Sequence, residues 1–104
     1  MMIRGVGATR RVFIGNQELS PRKSQRVYNH SPDGFNWGYG GSGPSQLALA
    51  IMLRYLPRSE ALAVYQDFKR EVIAGLPIGH NFELPVEGVL GWIRKQRKER
   101  GWAF

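Results

Sequence analysis

The sequence predicts a single domain of the α+β class, in which a small N-terminal antiparallel sheet is followed by helices. β-Prone runs separated by turn residues are confined to the first third of the chain, and apolar residues at helical spacing fill the remainder. A glycine-rich segment separates the two parts. The chain has 104 residues, of which 42% are hydrophobic, which is enough for one core. We therefore expect residues 1–104 to form one domain, in which residues 94–104 form a basic helix end and tail.

The predicted sheet rests on two short runs, residues 10–14 and residues 25–28, which are rich in valine, isoleucine, phenylalanine and tyrosine. Gly15-Asn16 and Ser20-Pro21 lie next to these runs and are typical turn dipeptides. We expect the runs to pair as antiparallel strands.

Residues 34–45, GFNWGYGGSGPS, form what we call the glycine-rich elbow; it contains five glycines and three large aromatic residues. The aromatic residues alternate with polar residues or glycine, which predicts a short extended segment. Pro44 suits the first position of a helix, and Gly43 or Ser42 suits its N-cap.

Three helices are predicted after the elbow. The first runs to about Tyr55 and is apolar nearly all round, so we expect it to be the buried central helix. The second, residues 59–74, is amphipathic and flanks it. The third begins near Pro85, and Gly88 and Gly91 within it predict close approach to a neighbouring element.

The elbow could be a structural turn, a site for an anion or small ligand, or a nucleotide-binding loop. Gly38 to Gly43 satisfies the G-x-G-x-x-G pattern, but the predicted helix is followed by a proline and another helix rather than by a second strand of a dinucleotide fold. In a phosphate loop of the G-x-x-x-x-G-K-[ST] type, Pro44 would occupy the lysine position. We favour a structural turn over an anion or nucleotide site. The residues involved in either role are Trp37, Tyr39, Gly40, Gly41, Ser42 and Gly43.

No residue combination predicts catalysis, a metal site or a cofactor. The chain has no cysteine, which excludes disulfides and cysteine nucleophiles. His30 and His80 are the only histidines, and neither has the spacing of a metal-ligand motif. We expect a protein that is not an enzyme.

The formal net charge of +7 favours acidic partners. Cations concentrate near the predicted sheet and at the end of the last helix, although such a helix end can also be merely solvated. The candidate binding residues are Arg10, Arg11, Arg22, Lys23, Arg94, Lys95, Arg97 and Lys98.

The elbow sequence continues as GFNWGYGGSGPSQLALAIML, with YQDFK and GWI further on. These residues, within about positions 30–93, resemble a family of uncharacterised small domains from bacteria, phages and other mobile elements. The resemblance implies an accessory or counter-defence protein, such as an anti-CRISPR protein, and it implies no established reaction.

We therefore expect a small basic binding protein that docks on an acidic macromolecular partner, which is a protein surface or the nucleic acid of a host complex, and that inhibits a host defence complex. The alternatives are a non-specific nucleic-acid binder and a protein that binds an anion or nucleotide at the elbow. The longest apolar run, residues 47–53, is far shorter than the ~20 residues of a membrane span, so we expect a cytoplasmic protein without membrane contact. The sequence leaves the oligomeric state open.

Overall fold

The protein consists of an antiparallel sheet with helices packed on one of its faces, as seen in a computed structural model that describes residues 1–102. The predicted α+β class is confirmed. Residues 103–104, the end of the predicted basic tail, lie outside the described residues. The elements in chain order are β1 (Met2–Val6), β2 (Arg11–Ile14), β3 (Gln17–Glu18), α1 (Arg22–Val27), α2 (Ser42–Tyr55), α3 (Arg58–Glu71), a 3₁₀ turn (Ile73–Gly75), β4 (Phe82–Pro85) and α4 (Val86–Arg100).

The four strands lie in the order β3-β2-β1-β4, and every neighbouring pair is antiparallel. Side chains alternate along them, so Ile3 and Val12 are buried under the helices, whereas Arg4 and Glu83 point to solvent on the opposite face. The sheet is therefore not built from the first third alone, as predicted, because β4 comes from the chain segment after α3. Strands β1, β3 and β4 were not predicted: β1 contains Gly5, a residue type that is depleted in strands, β3 has only two residues, and three helices separate β4 from its partner β1 in the sequence.

The second predicted strand, residues 25–28, is wrong, because most of it belongs to helix α1. The Ser24 hydroxyl donates to the Pro21 carbonyl at 2.7 Å, and the Tyr28 amide donates to the Ser24 carbonyl at 2.9 Å, which closes both ends of the helix. A helix of six residues is too short to show a helical period in sequence. The domain thus has one helix more than expected.

Helix α2 is the buried central helix, as predicted, and every residue from Gly43 to Met52 is buried. It begins at Ser42 with Gly41 as N-cap, two residues before Pro44. The aromatic segment before it belongs to no strand. Asn36 Oδ1 accepts a hydrogen bond from the Trp37 amide, and the Gly38 amide donates to the Ile73 carbonyl, so this backbone is held by local and tertiary contacts instead of a strand partner.

Helices α3 and α4 flank the core as predicted, and their apolar stripes, which include Phe68 and Val89, are buried. The edge of the Trp92 ring packs on Phe68 with ring centroids 5.0 Å apart, which joins α4 to α3. The expected close approach at Gly88 is wrong, because a Cβ atom there would meet nothing within 4 Å. Gly91 is similarly open, since such an atom would meet only the Arg94 guanidinium, at 3.8 Å.

Candidate functional site

The glycine-rich elbow is packed into the core at its first half. Trp37 is fully buried, and its indole N–H lies 3.1 Å from the Pro77 carbonyl and 2.9 Å from the His80 carbonyl. Gly38 has a φ of +88°, and a Cβ atom there would lie 2.5 Å from the Ile78 Cα. The tight backbone position of the elbow is thus Gly38.

The second half of the elbow is more open. A Cβ atom on Gly40 would meet nothing within 4 Å, and the side chain of Tyr39 is 39% exposed with its ring over Gly41. Gly43 packs against Asn36, whose Cβ would lie 2.6 Å from an added Cβ. Ser42, the first residue of α2, lies between Gly41 and Gly43 and is exposed.

Arg10 lies beside the elbow, in the turn between β1 and β2. It adopts a left-handed backbone with a φ of 59°, and it lines a cleft of about 160 Å³ together with Asn36, Trp37 and Gly79. The structure therefore brings Arg10 and Trp37 together, two residues that the sequence placed in separate candidate sites.

Arg11 is occupied within the sheet. Its guanidinium donates to both carboxylate oxygens of Glu18, at 3.0 and 2.7 Å, and also lies over the ring of Phe13. This hydrogen-bonded pair lowers the pKa of Glu18 and raises that of Arg11. Arg11 is a weaker candidate for partner binding than the sequence suggested, because its charge is already paired.

The exposed side of α1 consists only of cations. Arg22, Lys23 and Arg26 are its three exposed residues, and we call them the α1 surface. Among residues 1–102, none of the three forms an ion pair. Their charges therefore remain available to a partner.

Gln46 of α2 fixes the position of α1 from below. This side chain is fully buried, and its Oε1 accepts hydrogen bonds from the His30 and Ser31 amides at 2.8 and 3.0 Å. Its Nε2 donates to the Ser24 hydroxyl at 2.9 Å and to the Tyr28 carbonyl at 3.1 Å. The sequence analysis missed Gln46, although a lone amide in a helix that is covered on most sides must find buried partners.

His30 continues this attachment. Its Nε2 lies 2.7 Å from the Tyr65 hydroxyl, and its ring stacks on Tyr28 with centroids 4.3 Å apart. Burial lowers the pKa of His30 below its usual 6.5, and the nearby Lys69 charge acts in the same direction. The environment between the two tyrosines thus favours the neutral form of the imidazole.

The basic end of α4 divides into paired and unpaired residues. Arg97 lies 2.9 Å from Glu60 of α3, and Arg100 lies 3.2 Å from Asp67 of the same helix. The prediction that Arg97 is a solvent-facing cation is wrong, because this pair is half-buried between α3 and α4. Arg94, Lys95 and Lys98 are exposed and form no ion pair within residues 1–102, and we call these three the α4 surface.

The two surfaces lie toward opposite edges of the sheet. Helix α1 borders a groove with β3, whereas α4 follows directly from β4, the strand at the other edge. The helices that carry the two surfaces are thus attached at different edges of the sheet.

The groove next to the α1 surface has a volume of about 190 Å³. The residues that β3 and α1 contribute to its lining are polar. The apolar lining residues are Leu19, from the loop between β3 and α1, and Ala50 and Leu53, from α2. The lining residues are Gln17, Glu18, Leu19, Ser20, Lys23, Ser24, Ala50, Leu53 and Arg54.

Within residues 1–102, no group of three His, Asp or Glu side chains is placed to hold a metal ion. None of the helices in that part of the chain has the length and apolar composition that crossing a membrane requires.

The fold and its two cationic helix surfaces define a small basic α+β domain. The chain matches DUF6166, a family of unknown function, over residues 4–95, and it belongs to this family. The match includes the region of the resemblance, about positions 30–93, and also part of β1, together with β2, β3 and α1. No curated protein and no solved structure shows significant similarity to the chain.

Proposed function

We propose that this domain is a non-enzymatic binding protein that docks a cationic helix surface on an acidic protein. The observation that carries the proposal is the α1 surface, where three exposed cations remain unpaired within residues 1–102 while Gln46 holds their helix rigidly on the core. Pre-positioned charges lose less conformational freedom on binding, so they contribute more to affinity.

The non-enzymatic part is supported by how the polar groups are used. His30 is engaged with Tyr65, and the groove and the Arg10 cleft measure about 190 and 160 Å³. A wider, open depression of about 580 Å³ lies beside Ser59 and Trp102, and the carboxylate of Glu60, which lines it, is paired with Arg97. Small-molecule sites commonly have volumes of ~300–1,000 Å³. The groove and the Arg10 cleft are smaller than this range, so each suits a single side chain of a partner better than a substrate and its reacting groups.

A protein partner is favoured over nucleic acid because the α1 surface borders a groove with apolar walls from Leu19 and Leu53. Phosphate backbones present charge without an apolar group to fill such a groove. The resemblance to domains of phages and mobile elements supports a further part of the proposal. The partner belongs to a cytoplasmic host defence complex, and the domain inhibits that complex.

The two surfaces allow a matched test. The triple variant R22Q/K23Q/R26Q and the triple variant R94Q/K95Q/K98Q each lower the net charge from +7 to +4, since three cations are removed from the same total. Each variant and the wild type are used to capture partners from a bacterial lysate, with and without nuclease, and the affinity for the captured protein is then measured with purified components.

The proposal predicts that the first variant loses a nuclease-resistant protein partner that the second retains. Equal binding by all three proteins would contradict a cationic docking surface. Nuclease-sensitive capture that falls equally in both variants would instead establish the nucleic-acid alternative.

A further inference from the structure

The groove beside the α1 surface receives cations from two different helices. Lys23 comes from α1 and Arg54 from the last turn of α2, and neither forms an ion pair within residues 1–102. Arg54 and Lys23 are far apart in the sequence. Only the fold therefore brings the two charges to one groove.

The carboxylate in the groove does not cancel these charges. Glu18 lines the groove, but both of its oxygens accept hydrogen bonds from Arg11, which lies outside the lining. The Arg11 guanidinium holds the pKa of Glu18 below its usual value, so the pair is a neutral ion pair across the physiological range. The groove keeps the excess positive charge of Lys23 and Arg54.

The remaining lining offers both apolar contact and a hydrogen-bond donor. Leu19, Ala50 and Leu53 supply aliphatic surface. The Ser20 hydroxyl accepts a hydrogen bond from the Arg22 amide at 3.2 Å, and its own proton can be donated to a ligand. A volume of about 190 Å³ matches one side chain rather than a drug-sized ligand.

We infer that this groove binds a glutamate side chain of the acidic partner protein, with the carboxylate between Lys23 and Arg54 and the methylene stem against Leu19 and Leu53. The inference rests on the proposed function, and it names the group by which the partner is anchored. Cation–carboxylate contacts of this kind are strong when they are partly desolvated, and anchoring residues that fill pockets dominate the affinity of protein interfaces.

The test uses blocked glutamate, N-acetyl-glutamate α-amide, as the probe and follows the backbone amide NMR shifts of the full chain. We expect saturable shifts at Leu19, Lys23 and Arg54, and none with N-acetyl-glutamine α-amide, which has the same shape without the charge. The variant K23Q/R54Q should raise the dissociation constant about tenfold or more, since each charge-assisted contact accounts for roughly that factor.

The control variant R4Q/R58Q removes two exposed cations that neither line the groove nor belong to the α1 surface. It should bind the probe within about twofold of the wild type, because exposed distant charges are screened by salt. Absence of saturable shifts, equal binding of the glutamine probe or an equal loss in the control variant would each overturn the inference. Tighter binding of N-acetyl-leucine, which carries a free α-carboxylate, would overturn the inference. The groove would then bind the C-terminal carboxylate of a partner chain rather than a glutamate side chain.

The failure of this inference can be separated from failure of the proposed function. If R22Q/K23Q/R26Q loses the captured protein while K23Q/R54Q binds it with wild-type affinity, the docking surface stands and the groove is not the anchor. If neither triple variant loses a partner, the proposed function fails, whereas the titration still measures the groove directly.

Discussion

At the scale of single residues, Gln46 connects the core to the α1 surface. All four of its hydrogen-bonding positions are used, and each connects α2 to the segment from α1 to Ser31. A buried amide with this many partners stabilises one arrangement of that segment over others, because any displacement leaves buried polar groups unpaired.

We predict that Gln46→Ala lowers the free energy of unfolding by about 3 kcal/mol or more, since it removes four hydrogen bonds and leaves a cavity. Chemical denaturation measures this. Gln66→Ala on α3 is the control, because Gln66 is half-buried and accepts only a long hydrogen bond of 3.4 Å from Ser45. A similar decrease in the free energy of unfolding in both variants would show that the Gln46 hydrogen bonds contribute no more to stability than the single long bond of Gln66.

Gly38 gives a second prediction at this scale. Gly38→Ala should destabilise the domain by about 1–3 kcal/mol, because a Cβ would clash with the Ile78 backbone and the positive φ disfavours an L side chain. Gly40→Ala should change stability by no more than about 0.5 kcal/mol, since its Cβ would point into open space. Thermal melts of the two variants compare the positions, and equal melting temperatures would contradict the assignment.

His30 makes stability depend on pH. Its folded pKa is lower than the usual 6.5, so the unfolded chain takes up a proton first as the pH falls. The stabilising contribution is complete above 6.5 and is lost as the pH falls from 6.5 through the lower folded pKa. Between about pH 7.5 and pH 5.5, wild type should therefore lose more stability than His30→Asn, as measured by urea unfolding. Parallel losses in the two proteins would contradict this.

At the scale of elements, the contact between α3 and α4 includes a cation that the sequence assigned to binding. Arg97 pairs with Glu60 across 37 positions, and their side chains are only 20% and 25% exposed. Partly buried pairs are more costly to break than exposed ones, because the remaining charge keeps its desolvation cost.

Arg97→Gln should accordingly lower stability by about 1–2 kcal/mol, whereas Arg94→Gln on the exposed side of α4 should change it by less than about 0.5 kcal/mol. A double-mutant cycle with Glu60→Gln measures the coupling. A coupling of zero would show that the pair contributes nothing to holding α4.

The same elements show which parts of the fold can be predicted from sequence. Helices α2, α3 and α4 are long enough for apolar periodicity to appear, so they were predicted within a few residues. Helix α1 has six residues, and its attachment depends on Gln46, which is distant in sequence. Strand β4 pairs with β1, from which α1, α2 and α3 separate it in the sequence.

For the candidate site, the sequence identified the cationic residues, but it could not tell free charges from paired ones. Arg97 and Arg11 differ from Lys23 only through partners supplied by tertiary structure. The groove could not be predicted from the sequence either, because Arg54 and Lys23 line the same groove only where α1 packs on α2.

At the scale of the whole molecule, the net charge of +7 should accelerate the encounter with an acidic partner. For a protein captured through the α1 surface, we predict that raising the salt from about 50 to 300 mM slows association severalfold while dissociation changes little. Surface plasmon resonance separates the two rates. A salt effect confined to dissociation would contradict long-range steering.

The ends of the sheet also determine how this molecule can meet other chains. One edge is β3, which has two residues, and the other is β4, a four-residue strand that ends in Pro85 and carries Glu83. Neither edge offers a long row of free amide and carbonyl groups, and proline has no amide proton to donate. Sheet extension between chains, the usual route to fibrillar aggregation, is therefore disfavoured.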